Sequence, residues 1–267
     1  MRDELSDIFG TFMPEPSHED PVRRAQIQMK RPLPKKFYKD VTVEAEKEGF
    51  GIKLDGRAVK TPAKNTLVLA TSALAELVAA EWRAQAEVID PATMPVTRLA
   101  NTAIDSVAGQ IDAVADEILR FAGTDMLFYR ADTPHELGER QNVAWNPVLD
   151  WAVNELGARF ILAVGVMHQE QPKAALDAFE QALEKYREPF VLSALHVMTT
   201  LTGSALIGLA LVEGRLTLDE AWRLAHLDED WTEEHWGVDA EAAHRRAKRF
   251  EEMSAAHAVF ISLKGAN

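Results

Sequence analysis

Glu229 and Glu233 lie one helical turn apart, in a stretch that also holds Trp222, His226, His235 and Trp236. Paired carboxylates are the material of general acid/base chemistry, and a neighbouring indole can desolvate one of them and raise its pKa. Imidazole beside carboxylate can also ligate a metal ion. The spacing works against the metal. His226 and His235 are nine residues apart, roughly 13–14 Å along a continuous helix, too far to share one ion unless the helix breaks. Both histidines are therefore expected at the surface. Nothing in the sequence places a nucleophile or a cofactor against the acids. An acid/base or metal-dependent enzyme using Glu229, Glu233 and His235 stays as an alternative, with no catalytic residue, metal ligand or cofactor assigned.

Other catalytic patterns are missing. No G-x-G-x-x-G or G-x-x-x-x-G-K-[ST] run occurs, so neither a dinucleotide fold nor a P-loop NTPase is indicated. G-x-S-x-G is absent, and Gly203-Ser204 lies in an apolar stretch where small residues favour close packing. His135-Glu136 lacks the second His of a zinc protease. With no Cys there is no disulfide, thiolate metal site or thiol nucleophile.

The element that must position the acids is the stretch 216–237, L-T-L-D-E-A-W-R-L-A-H-L-D-E-D-W-T-E-E-H-W-G. Thr217 and Glu220 form a capping box at its start, and Gly237 supplies a left-handed residue at its end. Read as one helix, it carries Leu224, Leu227 and Trp231 on a core face. Trp222, His226, Glu229, Glu233 and Trp236 fall on nearly the opposite face. Like charges at i and i+4 cost a helix a few tenths of a kcal/mol, so this face was not chosen for stability alone. Aromatics beside acids, away from the core, suit a surface that contacts a partner. A solvated acidic face with the indoles tucked under a neighbouring helix is the other reading.

The remaining chain supports an α+β fold: a small N-terminal, mainly β domain with an antiparallel sheet, then a larger C-terminal all-α domain. Residues 1–30 read as a flexible Pro-containing lead in which Leu5, Ile8, Phe9 and Phe12 make a short amphipathic turn. Residues 31–98 form the β domain. Strands are expected at 37–43, 49–54, 57–61 and 66–69, with Asp55-Gly56 as the hairpin turn. Ser72 caps a helix running to about Gln85. The segment around Pro91 and Pro95 reads as an ordered connector, where Arg98, Asn101 and Asp105 tie it to both domains by hydrogen bonds. Arg57, Lys60 and Lys64 read as a solvated basic strip. Residues 99–267 are the helical domain, with helices at 99–122, 134–156, 172–186, 188–212, 217–236 and 239–263. The run 160–166 is a strand or a buried turn. The apolar run 191–212 is long enough to span a bilayer, but its Ser, Thr and His content marks it as a core helix.

The chain has 267 residues and a formal net charge of −13. Phosphate backbones and anionic membranes reward Lys and Arg, so neither nucleic acid nor stable membrane insertion is expected. The start carries early acids and no long apolar run, which fits neither a secretory signal nor an Arg-rich transit peptide.

Five strings then carry a resemblance. They are R-P-L-P-K-K-F-Y-K-D-V-T-V from Arg31, G-F-G-I-K-L-D-G-R-A-V-K-T-P-A-K from Gly49, and A-A-E-W-R-A-Q-A-E-V-I-D-P-A-T-M-P-V-T-R-L-A-N-T-A-I-D from Ala79. F-A-G-T-D-M-L-F-Y-R-A from Phe121 and L-D-E-D-W-T-E-E-H-W-G from Leu227 complete the set. In this order they resemble the Atp12 family of ATP synthase assembly chaperones. The resemblance implies two domains and no enzymatic activity. It also implies binding of the free α subunit of the F1 sector of ATP synthase, kept from aggregating until it meets β. A subunit that stays in the mature complex would be recovered with it stoichiometrically, which a chaperone is not. The family's acidic segment maps onto Asp228, Glu229, Glu233, Trp236 and Gly237, and Trp222 joins them from the helix-face reading. The chain resembles a bacterial, cytoplasmic member, monomeric when free, whereas eukaryotic relatives work in the mitochondrial matrix.

Overall fold

A computed structural model describes residues 32–165 and 167–264 of the chain. The expected lead at 1–30, with Leu5, Ile8, Phe9 and Phe12, lies outside them. The described residues divide into two compact units, one within 32–109 with 261–264 and the other within 110–260.

The first unit is built on an antiparallel sheet. Strands β1 (Val41–Glu46) and β2 (Gly49–Leu54) pair along their whole length, from Val41 opposite Leu54 to Glu46 opposite Gly49. The far edge of β2 is shared by β3 (Arg57–Ala58) and β4 (Val68–Leu69), each pairing with a different part of it. The strands at 49–54 and the Asp55-Gly56 turn are as expected. Val41 rather than Phe37 begins the first strand; Tyr38 instead anchors its ring edge-on to Trp82 and donates to the Trp82 carbonyl at 2.6 Å. Helix α1 (Ser72–Ala84) covers the sheet with Leu74, Ala75, Val78, Ala79 and Trp82. Its cap is Thr71 rather than Ser72: the Thr71 hydroxyl accepts from the Leu74 N–H at 3.0 Å.

The segment around the two prolines is more helical than its composition suggests. Pro91 opens a single 3-10 turn, and Pro95 is the first residue of α2 (Pro95–Asp105), a position where the missing N–H costs nothing. Glu81 of α1 then takes the free amides of that helix end. It accepts from the Val96 and Thr97 N–H groups at 2.8 and 2.7 Å and from the Thr97 hydroxyl at 2.6 Å. At the other end of α2, Asp105 accepts from Thr61, Ala63 and Asn65 at 2.6–3.0 Å. Those bonds close the β3–β4 loop inside the first unit rather than tying two domains together.

The second unit holds α3 (Ile111–Gly123), α4 (His135–Trp151), α5 (Lys173–Leu183), α6 (Pro189–Thr202), α7 (Ala205–Val212), α8 (Leu218–Ala225), α9 (Leu227–Trp236) and most of α10 (Ala240–Leu263). Two-residue strands β5 (Tyr129–Arg130) and β6 (Ala163–Val164) pair in parallel, which resolves the 160–166 run as a short strand. The expected long helices break where the backbone demands it. The helix at 99–122 splits at Ser106–Gln110. The apolar run at 191–212 is cut by Gly203, whose φ of 66° is open to a residue without a side chain. Among the described residues no helix is long and apolar enough to cross a membrane.

Helix α7 is the centre of this unit. All eight of its residues are buried, and it touches α3, α4, α6 and α8. Its N-terminal amides therefore cannot reach water and must find partners inside. Asp125 supplies them. Its carboxylate is fully buried, accepting from the Ser204 hydroxyl at 2.9 Å and from the Leu206 N–H at 3.0 Å; it also takes the Leu127 N–H at 3.1 Å. Ser204 in turn accepts from Ile207. Burial pushes the Asp125 carboxyl up to about 6, against the downward pull of these hydrogen bonds. A carboxyl raised from its ordinary range contributes stability below that range and loses it as pH rises through the folded value. Asp125→Asn should therefore remove a decline in stability between about pH 4 and pH 6 that the parent shows, read as the difference in urea midpoints across that range.

Candidate functional site

The stretch 216–237 is two helices, not one. The capping box forms as expected: Thr217 accepts from the Glu220 N–H, and the Glu220 carboxylate accepts from the Thr217 N–H at 2.8 Å. Helix α8 then stops at His226, where φ is −115° and ψ is 22°, and α9 starts at the next residue. The break re-aims everything beyond it.

His226 is not at the surface. It is 2% exposed, its ring packs on Trp222 at 3.9 Å between centroids, and Nδ1 lies 2.8 Å from the Trp222 carbonyl. Burial holds its pKa below the usual value. Trp222 is half-buried between His226 and Phe250 of α10, at 5.2 Å. Trp231 is likewise half-buried rather than core. It stacks on His235 at 4.2 Å and has the Arg140 guanidinium 5.9 Å above its ring. Helix α9 buries a single residue, Leu227.

The acids of α9 divide by direction. Asp228 accepts from Gln141 of α4 at 2.8 Å, and Gln141 accepts in turn from the Ala131 N–H at 2.7 Å. Glu234 makes a two-pronged pair with Arg140, at 2.6 and 2.8 Å, which holds its carboxyl below the usual range. Asp230 meets Arg246 of α10 at 2.5 Å, and Glu233 stands 4.0 Å from the same guanidinium. Glu229 is mostly open to solvent, with the His226 Nε2 at 3.7 Å. Trp236 ends the helix 74% exposed, followed by Gly237 at φ 89° and by Val238, which is 69% exposed. A groove of ≈ 510 Å³ between α9 and α10 is lined by Asp228, Glu229, Glu233 and Gly237 on one side and by Arg245, Arg246 and Arg249 on the other.

Chemically this is an open, mixed-charge surface with an exposed indole at its rim. His235 turns Nδ1 to the Trp231 carbonyl at 2.8 Å. Among the described residues no three His, Asp or Glu side chains converge to hold a metal ion. Of the face expected from the spacing, Glu229 and Trp236 are exposed and Glu233 is half-buried, whereas Trp222 is half-buried and His226 buried. Arg140, Gln141 and Arg246 were missed. The signal for Arg246 was in the sequence, because Arg245, Arg246, Lys248 and Arg249 follow the acidic run on the next helix. Nothing local marked Arg140 or Gln141.

Gln141 is buried, so removing it orphans the Ala131 N–H and frees Asp228. Gln141→Ala should cost roughly 1–3 kcal/mol of stability, measured by urea unfolding.

Known proteins are similar to this chain over most of its length. A model of the family described as ATP12 chaperone protein matches residues 35–153. The crystal structure of a putative chaperone from Agrobacterium tumefaciens is 57% identical, with a TM-score of 0.86, and the match covers 98% of this chain and 97% of that one. Atp12 from Paracoccus denitrificans is 40% identical over 86% of this chain and 98% of its own, with a TM-score of 0.80. A mitochondrial atp12 protein of Schizosaccharomyces pombe is 24% identical, covering 80% of this chain and 77% of its own.

Proposed function

The chain belongs to the ATP12 family of ATP synthase assembly chaperones, and we propose that it binds the free α subunit of the F1 sector and keeps it from aggregating before α meets β. A free subunit presents an apolar patch that will later be buried against its neighbour, and such patches aggregate. A strongly acidic chaperone covers that patch and lends charge to the complex. Release requires only that the true partner compete for the same surface, with no nucleotide hydrolysis.

The observation that supports this reading is the outward end of α9. Trp236 and Val238 are large apolar side chains left in water, at the end of the helix that carries the carboxylates Glu229 and Glu233. An exposed indole rimmed by charge is the composition of an interface centre. The contact set is Glu229, Glu233, Trp236 and Gly237, with Trp222 and Asp228 behind them. The working form is a monomer that acts by binding rather than catalysis, in the bacterial cytoplasm.

Co-expression with the F1 α subunit tests this directly. The parent chain should keep α in the soluble fraction and co-purify with it. Glu229→Lys and Trp236→Ala should each weaken the complex by about 2 kcal/mol, roughly thirtyfold in Kd, with thermal unfolding nearly unchanged. Normal capture by both folded variants would overturn the assignment of the surface.

A further inference from the structure

Helix α9 should not hold itself in place. Five of its ten residues are acids, with like-charge pairs at 229/233 and 230/234. Ten residues are too few for a stable isolated helix, and a single buried Leu227 gives little apolar packing to compensate. What remains is polar. Arg140 reaches from α4 to Glu234 with both prongs of its guanidinium and lies over the Trp231 ring. Arg246 reaches from α10 to Asp230 and stands near Glu233. The two arginines grip α9 from different helices and offset three of its five carboxylates.

We propose that Arg140 and Arg246 are positioning residues: together they fix the direction of α9 and so aim Glu229 and Trp236 at the partner. The inference rests on the contact face assigned above. The division of labour follows from the geometry. Asp230 and Glu234 spend their charge inside the molecule, whereas Glu229 keeps its charge for a partner. An exposed arginine–carboxylate pair contributes little to global stability. Its effect here is local, because beyond Leu227, the half-buried Trp231 and the Gln141–Asp228 bond the helix has little to hold it.

Hydrogen exchange on the full chain, read beside capture of the F1 α subunit, tests the proposal. Arg140→Ala and Arg246→Ala should each speed amide exchange across residues 227–236 at least tenfold. Exchange in α7 and the midpoint of thermal unfolding should stay as in the parent, and capture should weaken about tenfold. Arg140→Lys keeps the charge but loses the two-pronged fork, so it should fall between the two. Reversing the pair, Arg140→Glu with Glu234→Arg, should restore both protection and capture, which a general loss of stability would not allow. Unchanged exchange in α9 in both alanine variants overturns the clamp, whatever capture does. If α9 loosens while Glu229→Lys and Trp236→Ala still capture normally, the clamp stands and the contact face fails.

Discussion

The helical unit depends on a carboxylate that has no access to water. Helix α7 is apolar on every side, so it can only sit in the middle, and a helix in the middle has an N-terminus that solvent cannot satisfy. Asp125 and Ser204 satisfy it from within. The partial positive charge of the helix end is what makes a buried anion tolerable there. Because α3, α4, α6 and α8 all pack on α7, the placement of one acid sets the frame from which the outer helices project.

At the edge of that frame the balance reverses. Helix α9 is mostly polar and buries only Leu227, while arginines on α4 and α10 pair with its acids. A surface built this way can present acids and an indole together without collapsing onto the core. Its other side is tied down by Gln141, which joins Asp228 to the backbone after β5. For the proposed role of holding a free subunit and then releasing it, a surface set by polar pairs combines order with modest adhesion.

Much of this was legible in advance. The Thr217–Glu220 cap, the Asp55-Gly56 hairpin and the sheet strand at 49–54 follow from local chemistry, and each forms. Helices were found but their continuity was not. His226 shows why. On a continuous wheel it shares a face with Glu229, yet the chain breaks at it and drives it inside against Trp222. No residue near 226 is a Gly or Pro, so no local signal announced the break. Pro95 misled in the opposite sense: it opens α2 because Glu81, fourteen residues earlier, is there to receive the helix end.

The sequence by itself determined the composition of each face: which residues are apolar, which acidic, and where a helix or turn can start. Those properties are set by neighbours a few positions away. Tertiary structure alone decided which acids remain available. Asp230 and Glu234 are carboxylates on the same short helix as Glu229, and the approach of Arg246 from the next helix and of Arg140 from α4 is what pairs them within the molecule. Charge pairing acts through space over a few ångströms, so its outcome belongs to the packed molecule and not to the order of its residues.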